Sequence, residues 1–216
     1  MDKEEIRRMG LWGGVIGAIV IAVFVMIYFV SSKTDVGNPG GAPKAISAED
    51  WVLGNPVTAK AVLIEYADFQ CPSCGLYYPI VKDVKKELGD KLAFVYRYFP
   101  LSMIHKNAMS SSFAAEAAGK QGKFWEMHDI IFEKQKDWSE ESNAKDIFSG
   151  YAKSLGLDVN KFKTDFDSPE IKAKVEASFK EGSDIGINGT PTFFLNGKKM
   201  EPTGFEEFKA LVIKSI

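Results

Sequence analysis

The only two cysteines in this chain of 216 residues lie where an apolar stretch meets an amphipathic one, in Cys71-Pro72-Ser73-Cys74. Ahead of them, Ala61 to Phe69 (AVLIEYADF) is apolar on both alternating faces of its body, with Glu65 as the exception. Such a run suits a central strand covered on both sides. Behind them, Tyr77, Ile80, Val81, Val84 and Leu88 recur at i, i+3, i+4, i+7 and i+11, while Lys82, Asp83, Lys85, Lys86 and Glu87 fall off that stripe. This is the pattern of an amphipathic helix. Pro72 suits its first turn, where a missing N–H forfeits no bond. Lys91 to Phe99 (KLAFVYRYF) reads as a second strand, closed by Pro100. Strand, helix and strand in this order make a parallel βαβ unit, with the cysteines at the strand-to-helix turn.

From about Ser102 to Ile187 the pattern is mostly helical. Ala108–Gly122 is alanine-rich, and Lys123–Gln135 carries Phe124, Met127, His128 and Ile131 on one face. A third helix holds Ile147, Phe148, Tyr151 and Leu155, with Gly156 as its C-terminal cap. Ser168-Pro169 reads as an N-cap and first position, opening a helix with Ile171, Val175 and Phe179. Pro191–Leu195, the turn Asn196-Gly197 and Lys198–Met200 then form a hairpin. Thr203-x-x-Glu206 is a capping box for a last helix whose Phe205, Phe208, Leu211 and Val212 face inward. The expected fold is α/β: a β-α-β unit, an inserted helical subdomain over about 102–187, and a β-β-α unit, which is a thioredoxin-type layout.

Leu11 to Val30 is an uncharged run of 20 residues. At helical rise it spans roughly 30 Å, the thickness of a bilayer core. Lys3, Arg7 and Arg8 precede it and only Lys33 follows closely, with Trp12 and Tyr28 near its ends. The positive-inside bias makes residues 1–10 cytoplasmic, 11–30 a single transmembrane anchor, and everything after it extracytoplasmic. A cleaved signal peptide is the alternative, but its apolar region is normally about 7–15 residues long. Residues 31–47, rich in Gly, Pro and Ser, read as a flexible linker, and the folded domain is expected over 48–216. The net charge of −2 comes with no basic stripe, which argues against nucleic-acid binding.

A C-x-x-C pair at a helix start has two chemistries. It is half of a zinc site, for which two more ligands are needed and only His105 and His128 are on offer. His128 lies on the apolar stripe of its helix and reads as a core histidine, so no metal is expected. The pair is otherwise a redox centre. Cys71 and Cys74 fall on one helix face, and the free N–H groups and positive end of the helix dipole stabilise a thiolate there. Cys71 is then the attacking thiol and Cys74, one turn further in, the resolving one. Pro72 and Ser73 tune the potential: Pro72 removes a donor, and Ser73 adds a hydroxyl but no cation. No nucleotide loop, Ser/His/Asp set or Rossmann glycine pattern is present, and no cofactor is implied.

Several segments in order carry a family likeness: Gly54-Asn55-Pro56, Glu65 to Cys74 (EYADFQCPSC), Gln121 to His128 (QGKFWEMH), and Gly189 to Phe194 (GTPTFF). Over about residues 51–216 the chain resembles the DsbA-like branch of the thioredoxin superfamily, closest to the anchored or secreted members with a helical insertion. The resemblance implies that Pro191 is a cis-proline lying against the active-site disulfide. Such a kink leaves the backbone of Thr190 free to pair with a substrate strand. It also implies an acid at the place of Glu65. A carboxyl buried there has a raised pKa and can accept and return the proton of Cys74. A structural ion pair with Arg97 on the next strand is the other reading. The chain departs from the best-known member at Ser73, where that member has histidine.

These features lead to the expectation of a membrane-anchored thiol–disulfide oxidoreductase. Its partners are unfolded or reduced exported proteins and a membrane redox partner. Its direction is oxidase or, by the same chemistry, isomerase or reductase. A non-catalytic thioredoxin-fold binding module is the reading from another class.

Overall fold

Along β2 (Ala61–Ala67) the side chains alternate between two covered faces, and all but Val62 are buried. Leu63, Glu65 and Ala67 face one side; Ile64 and Tyr66 face the other. β3 (Leu92–Tyr98) is buried along its whole length. It lies parallel to β2 in the register Ala61↔Leu92 through Ala67↔Tyr98. The helix joining them, α1 (Pro72–Leu88), packs Cys74, Val81 and Val84 inward. The expected βαβ unit is therefore present. The computed structural model describes Asp2 and residues 41–216. The expected cytoplasmic tail, the anchor over 11–30 and the linker up to residue 40 otherwise lie outside the described residues. Among the described residues no helix is long and apolar enough to cross a membrane.

The hairpin closes the sheet on the far side of β2. β4 (Thr192–Leu195) pairs antiparallel with β2, and β5 (Lys198–Lys199) with β4. Asn196 and Gly197 both take positive φ, 50° and 78°, which is why this dipeptide turns so tightly. A strand not anticipated from the sequence, β1 (Trp51–Leu53), pairs antiparallel with β3. The sheet order is β1-β3-β2-β4-β5.

Six helices form the insertion: α2 (Ala108–Gly119), α3 (Phe124–Glu133), α4 (Gln135–Trp138), α5 (Ala144–Ser154), α6 (Val159–Phe166) and α7 (Pro169–Asp184). Ser168 caps α7 as expected, its side chain accepting from Ile171 N–H at 3.3 Å. α6 was not anticipated; Asp158 caps it through the N–H groups of Asn160 and Lys161. The last helix, α8 (Phe205–Lys214), corrects two expectations. Thr203 bonds Glu207, not Glu206, through both its N–H and its hydroxyl. Phe208 and Val212 are buried, whereas Phe205 and Leu211 are 39% and 38% exposed.

Residues 41–47 lie against the domain, although the sequence places them in the linker. Lys44 N–H donates to Glu181 at 2.9 Å, and the Lys44 carbonyl accepts from Arg97 at 3.1 Å. Arg97 also grips Asp50 at 2.7 and 3.0 Å and donates to the Tyr66 hydroxyl at 2.9 Å. Burying a guanidinium demands such partners, and this one clasps the N-terminal segment onto the face of the sheet away from the cysteines.

Candidate active site: the Cys71–Cys74 turn

Because Pro72 occupies the first helical position, Cys71 becomes the N-cap of α1, with φ −65° and ψ 123°. Its N–H bonds the Asp68 carbonyl at 3.0 Å, and its own carbonyl accepts from Gly75 N–H at 3.1 Å. Cys71 is 7% exposed and Cys74 fully buried; both are free thiols. Pro72 and Ser73 lie at the surface between them. The Thr190–Pro191 peptide is cis, and the Cys71 thiol donates to the Thr190 carbonyl at 3.3 Å. The structure thus brings Cys71, Cys74, Pro72, Ser73, Thr190 and Pro191 together.

The two thiols differ because their surroundings do. The Cys71 thiol is held down to about 5, first by the hydrogen bond from the Cys74 thiol. Burial opposes this shift, while Thr190 and the N–H groups of Cys74 and Ser73 assist it. Thr190 acts in two ways. Its carbonyl holds the thiol proton, whereas its hydroxyl, buried without another partner, is free to turn and donate to the thiolate. Cys74 is pushed well above the ordinary thiol value, by burial first and then by its neighbour Cys71. A ready nucleophile therefore sits in front of a reluctant one.

Glu65 lies on the core face of β2, paired with Tyr96 and Phe193 of the adjoining strands. It is 3% exposed. Burial, and then the charge of Cys71, raise its carboxyl to about 8. The ion pair with Arg97 does not form, because Arg97 stands opposite Tyr66 and so faces the other side of the sheet.

Residues that sequence reasoning passed over hold the turn in place. Asp68, completely buried, accepts from Gln70 N–H and Leu101 N–H at 2.8 and 2.9 Å and pairs with His105 Nδ1 at 2.6 Å. The Gln70 side chain bridges Asn107 N–H and the Ser139 carbonyl. Gln135 reaches the carbonyls of Phe69 and Cys71. The insertion is thus a brace for the redox turn. Asp68 and Gln70 lie within the Glu65–Cys74 segment the sequence singles out, and His105 figures there only as a possible zinc ligand; an isolated amide such as Gln135 gives no local signal. His128 is a core histidine as expected, ringed by Phe69, Tyr96, Trp125 and Phe132.

The fold and this Cys-x-x-C turn together define a protein of the thioredoxin type. A family model described as thioredoxin matches residues 47–214, so the chain belongs to that family. Among solved structures, oxidised BdbD from Bacillus subtilis is 25% identical and superposes with a TM-score of 0.70 over 82% of this chain and 98% of that one. MdbA, a thiol-disulfide oxidoreductase from Corynebacterium diphtheriae, gives a TM-score of 0.65 at 18% identity, over 83% and 96% of the two chains. Wolbachia pipientis alpha-DsbA1 gives 0.68 at 20% identity, over 78% and 92%. The domain therefore has the DsbA-like fold. Among curated proteins, the Na(+)/H(+) antiporter NhaA 1 of Mycolicibacterium gilvum is 33% identical over 205 residues, 92% of this chain but 32% of the antiporter. NhaA 1 of Salinispora arenicola is 37% identical over 151 residues, 69% of this chain and 22% of that protein. The chain spans about a third or less of the length of these relatives. No ion transport is carried over from them.

Proposed function

We propose that the protein is a thiol–disulfide oxidoreductase that forms disulfide bonds in exported polypeptides. One observation carries the reading: a thiol held down to about 5 at a helix start, with a buried thiol of opposite tendency one turn behind it. In the forward reaction a substrate thiolate attacks Cys71 in the Cys71–Cys74 disulfide. Cys74 leaves and takes up a proton, which Glu65 supplies. A second substrate thiolate then closes the new disulfide and releases Cys71 as its stabilised thiolate. That stabilisation favours the reduced enzyme and makes its disulfide oxidising. The half-buried edge at Thr190 and Pro191 receives the substrate backbone.

The same reading places residues 11–30 in the membrane as a single-pass anchor, with the catalytic domain outside the cell membrane. A membrane redox partner reoxidises the pair, since no cytosolic thiol system reaches it. The deciding measurement is the state of the pair in cells, trapped by acid quench and alkylation. The oxidase direction requires a mostly oxidised pair; a mostly reduced one leaves an isomerase or reductase. An absence of any exchange with glutathione would leave a binding module. Protease added to spheroplasts should digest the domain without lysis; protection would reverse the topology.

A further inference from the structure

A cavity of about 480 Å³ lies between α1 and α3, away from the cysteines, with Glu65 in its wall. None of Cys71, Cys74, Thr190 or Pro191 lines it. Its lining on α1 runs from Tyr78 to Lys86, two to four turns down the helix from Cys71. His128 stands in the wall, 5% exposed, with Nε2 buried and unpartnered. Its other nitrogen, Nδ1, is 3.0 Å from Asp129, whose carboxylate meets Lys82 at 2.9 Å at the half-exposed rim.

We propose that this cavity is the proton route between Glu65 and solvent, with His128 as the positioning residue that carries the proton along it. The inference rests on the redox reading above. Whichever way the enzyme runs, Glu65 exchanges one proton with solvent per cycle. In reoxidation by a partner's disulfide, the Cys74 thiol gives its proton to the Glu65 carboxylate. The Cys74 thiolate then attacks Cys71 in the mixed disulfide, the Cys71–Cys74 bond forms, and the partner leaves as a thiolate. Glu65 must next lose that proton, and a bound polypeptide covers the cysteine face. The cavity reaches the same carboxyl from behind.

The chemistry of the lining suits the task. Nδ1–H of His128 donating to Asp129 leaves Nε2 as an acceptor, and burial keeps the imidazole neutral, below its ordinary pKa. A cavity of this size has room for water, and its polar groups supply the partners that ordered water needs. From α1 the facing groups are Tyr78, Lys82, Lys85 and Lys86; from α3, His128 and Asp129. Glu65 faces it from β2, with Tyr96 of β3 opposite it in the strand register. Lys82 is tied to Asp129 and Glu133, and Lys85 to the Gly89 carbonyl. That leaves His128 as the neutral group with an open acceptor.

The test uses the full-length protein in detergent and a two-cysteine peptide as probe. His128→Phe keeps a ring and removes both nitrogens. Leu53→Trp narrows the cavity from a position already 39% exposed. Each should slow the resolving step, by on the order of tenfold or more, the range of a lost proton-transfer group. Each should also flatten the pH profile and enlarge the solvent deuterium effect, with the acid-side alkylation of Cys71 unchanged. Added imidazole should restore the rate of His128→Ala. Unchanged rates and pH profiles in both variants overturn the proposal, and Leu53→Trp alone decides it if His128→Phe does not fold. Failure of the redox reading itself would show separately, as no turnover by the unmodified protein.

Discussion

Gln135 donates from Nε2 to the carbonyl of Cys71 at 2.9 Å, so a residue of the helical insertion holds the first peptide of the redox turn. The same nitrogen serves the Phe69 carbonyl at 2.7 Å. Gln135→Glu keeps the shape but points a carboxylate at two carbonyl oxygens. It should cost about 1–3 kcal/mol, the range for unsatisfied buried groups. Urea unfolding should show this as a lower midpoint at unchanged m-value. Wild-type stability in Gln135→Glu would mean that the insertion does not brace the turn.

The division of labour between the thiols predicts unequal labelling. Alkylation of reduced protein should reach Cys71 with a midpoint near pH 5, while Cys74 stays unlabelled through neutrality. Cys71→Ser should abolish exchange. Cys74→Ser leaves an attacker with no resolver, so mixed disulfides with substrates should accumulate. Labelling of Cys74 first would reverse the roles.

Glu65 should make the protein less stable as pH rises. Its carboxyl titrates at about 8 when folded, against an ordinary 4.5. Between those values the folded state holds a proton that the unfolded state has lost. Stability therefore falls by up to about 1.4 kcal/mol per pH unit from this group. Glu65→Gln has no such proton. Its stability relative to the wild type, in the same redox state, should climb from pH 4.5 to pH 8 while its exchange rate drops. A difference that is flat with pH would mean that Glu65 is not a high-pKa acid in the folded protein.

What the sequence made legible is what local chemistry decides. The βαβ unit, the Asn196-Gly197 hairpin and the Ser168 cap each follow from residues close together in the chain. So does the placing of Cys71 at a helix start. The pairing of Thr203 with Glu207 instead of Glu206 is a shift of one residue at a helix end, where local signals are least sharp. β1 stayed hidden because three residues carry no periodicity; Trp51 is fixed by Phe124 and Glu116, far along the chain. The braces of the site stayed hidden likewise. Asp68 with His105, and Gln135 with Cys71, meet only through the tertiary fold.

Trp51 also predicts that Gly119 cannot grow. A Cβ built on Gly119 would lie 2.3 Å from the indole ring. That ring has no room to yield: it stacks on Phe124 at 4.2 Å between centroids and donates to Glu116 at 2.6 Å. Gly119→Ala should cost about 1–3 kcal/mol, as overpacking does. In a double-mutant cycle, Trp51→Phe should recover part of that loss. Simple additivity of the two would mean that the contact is not what limits Gly119.

Two opposing effects set the relative stability of the oxidised and reduced protein. Closing a loop as short as Cys71–Cys74 stabilises the oxidised protein by about 2 kcal/mol on chain-entropy grounds. The reduced protein has a thiolate instead. Cys71 titrates at about 5 when folded, against an ordinary 9.0. Between those values the unfolded state holds a proton that the folded state has lost, so reduced stability rises by up to about 1.4 kcal/mol per pH unit. Some of that slope is returned through Glu65, whose own shift depends partly on the Cys71 charge. The oxidised form should therefore be the more stable near pH 5, and the reduced form by about pH 7 or 8, with a crossing between. Urea unfolding of both forms across pH 5–9, with excess dithiol in one series, measures the difference directly. A reduced form that gains nothing on the oxidised one over this range would remove the thiolate stabilisation on which the oxidising direction depends.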